Sequence, residues 1–589
     1  MTQHPLTALL RVTIAATLVM CGVPAVAFAG SNATVKAQEE TDTTIQECID
    51  GLAQLEAGED YDDECIVVRY SGSETPQTVE LQEGESVEDA LEDAANDDMV
   101  VAAQPNYYYT LQDADSSVSA GSDTTGECAV NDTLASKQYY LESYDGDSSQ
   151  SGASVKGAWQ YAKSNQTTTV AVLDTGAETS HKDLKDNIDT THMATVTSYG
   201  SVVVGSMEDV NGHGTHVAGI IAAASNNGTG VSGVSYNARV LPINVFSKVK
   251  DRSGAITTVS STLQSVAALE YLDSLIEGGR VSNLHVVNMS FGGYTLDNGG
   301  DTLLHNEIKH LRSSHNVLCV CAGGNGDGSL ASINTCYPAD WDECVSVTAL
   351  NESGQNCAWS DFNQYKDISA PGADMLSTYS NSAAKADSSV LEGSYKKNES
   401  YAYLSGTSMA APLVSGVFAL MWAANPALTA DDAVSTVKST ARWVKGNEGD
   451  DARRNIVQNG SAGAIDAAAA VAATLGISYS SAAATQANTA SKPPKLKITK
   501  KIAKKHAFVI YWNKKKTVKG VSGFQVRIKK KGAKKWKKQT LKDALAVGAR
   551  ESKLKRRTKY CVQVRAYYLK SSGKKIYGAW SAKKVVKTK

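Results

Sequence analysis

The chain has 589 residues, 42% of them hydrophobic and 20% charged, which is enough length for several domains with a substantial buried core. Length and composition together exclude a collagen, a pure coiled coil, a small disulfide-knotted scaffold and a polytopic membrane protein. The net charge of −4 conceals an asymmetry: residues 491–589 carry 34 Lys and Arg against only Asp543 and Glu551, a balance of +32, while the preceding 490 residues carry −36. Two bodies of opposite charge are joined in one chain.

In chain order, residues 1–29 place Arg11 before an apolar run from Val12 to Val19, then Pro24 and the small residues Ala27-Phe28-Ala29. This is the pattern of a secretory signal with an A-x-A cleavage site. Cys21 fits a lipoprotein site poorly, because Met20 stands where a small residue is required. Export permits disulfides, and the nine cysteines left after the signal leave at least one unpaired within the chain. Residues 31 to about 60 are acidic and aperiodic, which predicts a segment without fixed structure. A strand is predicted over Cys65–Tyr70. A helix opened by Ser86 follows, with Val87, Ala90, Leu91 and Ala94 on one face and Asp89 at the capping-box position. A second strand over Met99–Ala103 leads into Pro105-Asn106-Tyr107-Tyr108-Tyr109.

From about residue 130 to 475, nearly continuous apolar runs such as "TTTVAVLDTG", "ARVLPINVF", "LHVVNMSFG", "NVLCVCAGGN" and "CVSVTAL" alternate with helical patterns. That alternation predicts an α/β fold with a parallel sheet covered on both faces. The Ser/Ala/Thr-rich stretch from Ser480 to Pro494 reads as a linker. In the basic tail, "HAFVIYW", "GFQVRI", "KYCVQVRAYYL" and "WSAKKVVK" read as strands, with Tyr560, Val562, Val564 and Ala566 on one face.

Three motifs carry the chemistry. "VAVLDTG" puts Asp174 at the carboxyl end of a buried strand, and "NGHGTHVAG" and "SGTSMAAP" put His213 and Ser408 at glycine-bounded helix starts. A serine hydroxyl needs a base to take its proton, and that base needs a carboxylate to fix its tautomer and stabilise the imidazolium. The order Asp, His, Ser is that of subtilisin.

With these motifs, residues 130–475 resemble the subtilisin-like serine proteases, or subtilases. The resemblance implies that Asp174 orients the base, His213 is general base and acid, and Ser408 is the nucleophile. It makes Asn325 of "CAGGNGDG" a donor to the oxyanion, with the Ser408 backbone N–H as the second donor. His216 reads as structural. Substrate backbone would pair with the strand end at Ser290, Phe291 and Gly292. The facing pocket wall would be Ala322, Gly323 and Gly324, with Cys336 near the floor. No acidic residue lines this pocket, so the expectation is a broad preference for a large apolar residue before the cut bond.

"ASNNGTGVSG" matches the length of the family's calcium loop. The resemblance therefore implies structural Ca2+ held by Asn227, the carbonyls of Ser225, Thr229 and Val231, the carboxylate of Asp183 and a further ligand, Gln138. The α+β unit before the protease resembles the family's inhibitory propeptide, with self-cleavage expected between Tyr107 and Cys128. An insertion between Ser377 and Tyr403 departs from the family pattern and would reshape access to the nucleophile. The tail resembles a fibronectin type III-like β-sandwich in which Tyr560 is the corner tyrosine and Trp512 a core aromatic.

The expected organisation is a signal peptide at 1–29, propeptide at 30–112, peptidase domain at 113–475, linker at 476–494 and basic sandwich at 495–589. The expected protein is a secreted, monomeric serine endopeptidase acting on proteins and peptides. Its tail would bind an anionic cell-wall polymer or membrane surface rather than a specific nucleic acid. A catalytically silent or propeptide-inhibited surface-binding protein is the alternative of a different class, and an esterase is disfavoured by the absence of a G-x-S-x-G elbow.

Overall fold

The computed structural model describes residues 45–589 apart from 53–54, 74, 114–129, 144–151, 165–167, 210, 251–255, 282, 295–299, 327–334, 387–399, 443–462, 478, 480–494, 513–522, 542–547, 552–553 and 570–574. The signal segment, Cys21, Cys128 and nearly all of the linker therefore lie outside the described residues.

The N-terminal unit is built on the strands Tyr61–Tyr70, Gln77–Glu80 and Val100–Leu111, all antiparallel. Its helix Val87–Ala95 carries a complete capping box: Ser86 accepts from the Asp89 N–H, and the Asp89 carboxylate accepts from the Ser86 N–H. Asp thus serves where Glu or Gln is usual. Val87, Ala90 and Leu91 are buried against the sheet.

Two expectations need correction here. Residues 45–52 are helical rather than unstructured. Ile45 and Cys48 are buried, with Ile49 and Leu52 packed against the same cluster, an i, i+3, i+4, i+7 stripe that the acidic composition obscures. The second strand also continues past Ala103 through Pro105 to Leu111. Its distal half finds partners outside its own unit: Tyr108 and Tyr109 pair with Ser261 and Ser260, and Thr110 and Leu111 pair with Gly292 and Phe291.

The central sheet has eight strands in the order Ile368–Pro371, Cys344–Leu350, Leu318–Ala322, Leu284–Met289, Thr169–Asp174, Arg239–Asn244, Ala194–Val196 and Val202–Val204. All neighbours are parallel except the last pair. Both faces of Thr169–Asp174 are apolar. Val170 and Val172 pack with the helices His213–Ala222 and Thr407–Ala424, while Ala171 and Leu173 pack with the helices Thr262–Glu277 and Thr302–His315. Helix layers on both sides are what uninterrupted apolar strands require.

The helix Thr407–Ala424 is 18 residues long and mostly apolar, and nearly all of it is buried, so it is a core helix of this layer. All eight described cysteines are buried free thiols. Burial pushes the thiols of Cys319, Cys321, Cys336, Cys344 and Cys357 up, which makes them unreactive packing groups.

The tail forms a three-stranded sheet, Ile498–Ala503, Phe508–Trp512 and Gly548–Glu551, and a five-stranded sheet in which Lys559–Leu569 pairs with Gly523–Lys530, Lys575–Tyr577 and Lys584–Lys587. Tyr560, Val562, Val564 and Ala566 face the core with Trp512 and Phe524. The Tyr560 hydroxyl accepts from the Lys555 N–H at 2.9 Å. On the opposite face Arg527 lies over Trp536 and Trp580, and Arg565 over Trp580 and Tyr577, at 3.8–4.6 Å. Ring faces thus hold two of the cations in place.

The N-terminal unit is fastened to the central body by polar contacts as well as by strand pairing. Arg69 bridges Glu270 at 2.8 Å and Glu307 at 3.0 Å, one on each outer helix. The fully buried Asp301 caps the helix Thr302–His315 through the Leu304 N–H. It also accepts from Tyr109 Oη at 2.6 Å and Gln104 Nε2 at 2.8 Å.

Candidate active site

Each of the three residues expected to act together ends a regular element. Asp174 is the last residue of the strand Thr169–Asp174, His213 the first of the helix His213–Ala222, and Ser408 the second of Thr407–Ala424. All three are at most 1% exposed. Asp174 Oδ1 lies 2.7 Å from His213 Nδ1, in hydrogen-bonding geometry.

The loop before His213 is held by a residue that the sequence reading did not single out. Buried Asp209 accepts from Thr175 Oγ1, the backbone N–H groups of Asn211, Gly212 and Thr215, and Thr215 Oγ1. It stands four residues before the histidine, where the run "EDVNGHGTH" offered the signal. Gly212 is required by its φ of 95°. His216 binds the carbonyl oxygens of Met375 and Ala402 through Nε2, and burial lowers its pKa to about 4, so it is a neutral packing group.

Ser408 does not donate to His213. Its Oγ donates to the Ser290 carbonyl at 2.7 Å and accepts from the Gln112 N–H at 3.0 Å. The Gln112 carbonyl in turn accepts from the Ser408 N–H at 3.2 Å. The Asn325 carboxamide oxygen is taken by the N–H and hydroxyl of Thr407, which leaves its Nδ2 buried and unpaired. Of the two expected donors, the Ser408 N–H is engaged by a carbonyl of the same chain and Asn325 Nδ2 is without a partner.

Pro412 explains a further contact. Lacking an N–H, it frees the carbonyl four residues back, which belongs to Ser408. Ser290 Oγ donates to that carbonyl at 2.8 Å and is itself held by Asn288, which is held by Ser415.

The expected pocket walls come together around Gln112. Phe291 and Gly292 pair with the incoming strand, and Gly292 O accepts from Gln112 Nε2 at 3.1 Å. On the other side the Asn325 N–H donates to Gln112 Oε1 at 3.2 Å. The polar carboxamide of Gln112 thus lies between the two expected walls, satisfied by backbone groups on both sides. Cys336 lies beneath, where a side chain on Gly292 would strike its Sγ. The wall at Ala322, Gly323 and Gly324 is braced from below by buried Lys366, which donates to Gly323 O and to Asp340. The strand Ile256–Ser261, which flanks the incoming chain on its second edge, was not legible in the sequence, and nor was Lys366.

The insertion yields the antiparallel strands Met375–Tyr379 and Ser400–Leu404, with residues 387–399 outside the description. Ser377 and Thr378 donate to the carbonyls of His216 and Thr215, so this hairpin grips the His213 helix.

The residues of the expected calcium loop gather around Asp183. Its carboxylate accepts from Asn227 Nδ2 at 2.7 Å, the Val231 N–H at 2.8 Å and Tyr401 Oη at 3.3 Å, and burial pushes its pKa up to about 7. The Asn227 amide is fixed at both ends, its nitrogen on Asp183 and its oxygen accepting from the Thr229 N–H at 2.7 Å, so Ca2+ would have to displace these hydrogen bonds and turn the amide over to gain an oxygen ligand there. Ser225 Oγ is buried without a partner beside this loop. Gln138 does not join the set. Both ends of its amide are taken by the Ser232 backbone and it also donates to Tyr140, so it braces the loop. Asp132, absent from the expected set, fixes the loop through Asn226 N, Asn227 N and Ser232 Oγ.

Residues 165–476 match the model of the subtilase family. This chain belongs to the subtilase family. An extracellular protease of Xanthomonas campestris is 31% identical over 348 residues, covering 54% of this chain and 53% of the relative. Subtilisin E of Bacillus subtilis is 31% identical over 283 residues, covering 47% and 60% respectively. The chain thus spans about half the length of the curated relatives it matches. Among solved structures, a protease of Pseudoalteromonas arctica aligns at 29% identity with a TM-score of 0.43, over 59% of this chain and 99% of that one.

A second carboxylate stands beside His213. Asp113 Oδ1 lies 3.2 Å from His213 Nε2 without the alignment of a hydrogen bond. Burial by itself would lower the His213 pKa, but Asp174 and Asp113 on either side outweigh it and raise the pKa well above its ordinary value. Raising an imidazole's pKa keeps it protonated to higher pH. Asp113→Asn is therefore expected to move His213 deprotonation to lower pH in an otherwise intact chain carrying Ser408→Ala, as read by an NMR titration of the imidazole. An unmoved titration would reject Asp113 as a source of the shift.

Proposed function

We propose that this chain is a secreted serine endopeptidase made as a self-processing precursor, and that the bond it first cuts is Gln112–Asp113. The observation that carries this reading is the Gln112 carbonyl resting on the Ser408 N–H, with the Ser408 hydroxyl in contact with the same residue. The names of the relatives, extracellular protease and subtilisin, support both the activity and the export.

The chemistry follows from these positions. Ser408 Oγ turns from the Ser290 carbonyl and attacks the carbonyl carbon of Gln112 while His213 Nε2 takes its proton. Asp174 holds the opposite ring nitrogen and stabilises the imidazolium. The oxyanion is met by the Ser408 N–H and Asn325 Nδ2, donors fixed before charge develops. The imidazolium then gives its proton to the Asp113 nitrogen, the C–N bond breaks, and water releases Gln112 from the ester by the same steps in reverse. Until that cut, Asp113 favours the protonated imidazole and Ser290 holds the hydroxyl, so only the deprotonated fraction of His213 can take the Ser408 proton and the first cut is slowed by the precursor's own chain. Residues 45–112 would remain bound as an inhibitory product through Arg69, Gln104 and Tyr109. Intact precursor carrying out binding alone is the competing reading.

Calcium belongs to the same proposal as a structural ion, held by Asp183, Asn227 and the carbonyls of Ser225, Thr229 and Val231. It would tie the loop to the Asp183 segment and take no part in the reaction. The two sheets of the tail and its Tyr560 contact support a fibronectin type III-like sandwich, and its balance of +32 supports tethering to an anionic envelope polymer.

Three outcomes test these readings. Wild type should lose the segment ending at Gln112, while Ser408→Ala keeps it and loses peptide hydrolysis by about six orders of magnitude, the scale that loss of the nucleophile carries in subtilisin. Intact mass and N-terminal sequencing decide this, and identical processing of both chains would reject self-cleavage. Calcium added to chelator-treated chain should raise Tm, and Asp183→Asn should remove that rise. Deleting residues 495–589 should abolish salt-sensitive retention on anionic envelope polymer, and equal retention would end the tether reading.

A further inference from the structure

Away from the active site, the helices Thr262–Glu277 and Thr302–His315 bring three ligand-type side chains to one point. Asp273 Oδ1 lies 2.6 Å from His315 Nε2 and 3.3 Å from His310 Nε2, and all three donor atoms fall within 4.8 Å of one another. The geometry points to a divalent transition-metal site of the zinc class, formed by Asp273, His310 and His315, that staples these two helices together.

Two observations carry it. Asp273 Oδ1 and His315 Nε2 are buried atoms with no hydrogen-bond partner, although they approach to 2.6 Å. The pair is spaced as an ion pair when His315 is protonated but lacks the alignment of a hydrogen bond, and a divalent cation at the common point would stand in for that proton and bond both groups. Leaving such atoms unpaired otherwise costs free energy.

The second observation concerns tautomers. His310 Nδ1 lies 3.3 Å from Ser314 Oγ. If the hydroxyl accepts the Nδ1 proton, the Nε2 lone pair is left facing Asp273, the outer contact that orients a metal-bound histidine. The edge-to-face packing of the two imidazoles at 5.6 Å keeps both rings turned inward.

The dimensions suit a small tetrahedral ion. Zinc holds nitrogen and carboxylate oxygen at about 2.0–2.2 Å, which separates tetrahedral ligands by roughly 3.3–3.5 Å. The His310–Asp273 spacing already meets this, and the His315–Asp273 spacing needs to open by less than about 1 Å through side-chain rotation. Water completes four ligands. Two imidazoles and one carboxylate favour Zn2+ or Co2+ over Ca2+, which takes oxygen ligands.

The position gives the site a purpose. Glu270 and Glu307, which grip Arg69, lie on these same two helices, and Asp301, which receives Tyr109 and Gln104, caps the second. A metal between Asp273 and the last two turns of its neighbour would stiffen the platform on which the N-terminal unit docks.

The test uses the untagged full-length chain with Ca2+ present in excess, titrated with Co2+ and then Zn2+. The expected result is one equivalent of Co2+ taken up with the strong visible absorption of a four-coordinate ion, displaced by Zn2+, and a rise in Tm. His315→Gln and Asp273→Asn should each weaken uptake by about 100-fold or more, while His305→Gln, at a half-buried histidine of the same helix paired with Glu343, should leave it unchanged. These side chains are partly exposed, so circular dichroism can establish that each variant is folded. Failure of the folded wild-type chain to take up one equivalent, or equal uptake by the Asp273→Asn/His315→Gln double variant, would overturn the assignment.

Discussion

One strand belongs to two bodies. The proximal half of Val100–Leu111 completes the N-terminal sheet against Tyr61–Tyr70, and its distal half is hydrogen-bonded between Ile256–Ser261 and Phe291–Gly292 of the central body. A backbone ladder leaves no freedom of register, because a slip of one residue would turn every side chain to the opposite face. Tyr109 must therefore meet Asp301, Gln112 must enter the pocket, and its carbonyl must reach the Ser408 N–H. The position of the Gln112–Asp113 bond beside Ser408 follows from strand pairing some distance away.

The same arrangement separates binding from reaction. The Ser408 hydroxyl donates to the Ser290 carbonyl rather than to His213, and His213 is flanked by two carboxylates, only one of which belongs to the expected triad. The second, Asp113, sits on the far side of the proposed cut and would leave with the new chain end. An electrostatic restraint carried by the bond to be broken disappears once that bond is broken, and the base then returns to the influence of Asp174 alone.

Local economies hold the site rigid. Pro412 removes a helix hydrogen bond just where the Ser290 hydroxyl can replace it, so the Ser408 carbonyl remains paired at no cost in buried polarity. Lys366 is charged and almost fully buried, and it is tolerable because Asp340 and the Gly323 carbonyl receive it. Breaking one partner of such a pair is far more damaging than replacing both, so this brace under the pocket wall is a sensitive point distant from the reacting atoms.

Much of this was legible in the amino-acid order. Apolar runs separated by helical periods determined a covered parallel sheet, the capping box opened at Ser86, and the alternation in the tail chose the inward face. Asp174, His213 and Ser408 stood in long motifs because a strand end and two helix starts need particular neighbours, glycine at 212 among them. Local pattern could not reveal contacts between segments far apart in the chain. Asp209, Asp132 and Lys366 look like ordinary surface charges until the fold buries them against specific donors and acceptors. Gln138 looks like a ligand until Ser232 claims both ends of its amide. The helix at 45–52 was hidden by acidic neighbours that stay in water while one stripe packs inward. The sequence by itself determined which elements form and which chemistry they carry, since periodicity and motif spacing act within a few turns of chain. Only the tertiary structure decided that the strand runs on to Leu111, that a glutamine fills the pocket and that Asp113 faces the base, because those depend on partners roughly 100 to 300 residues away.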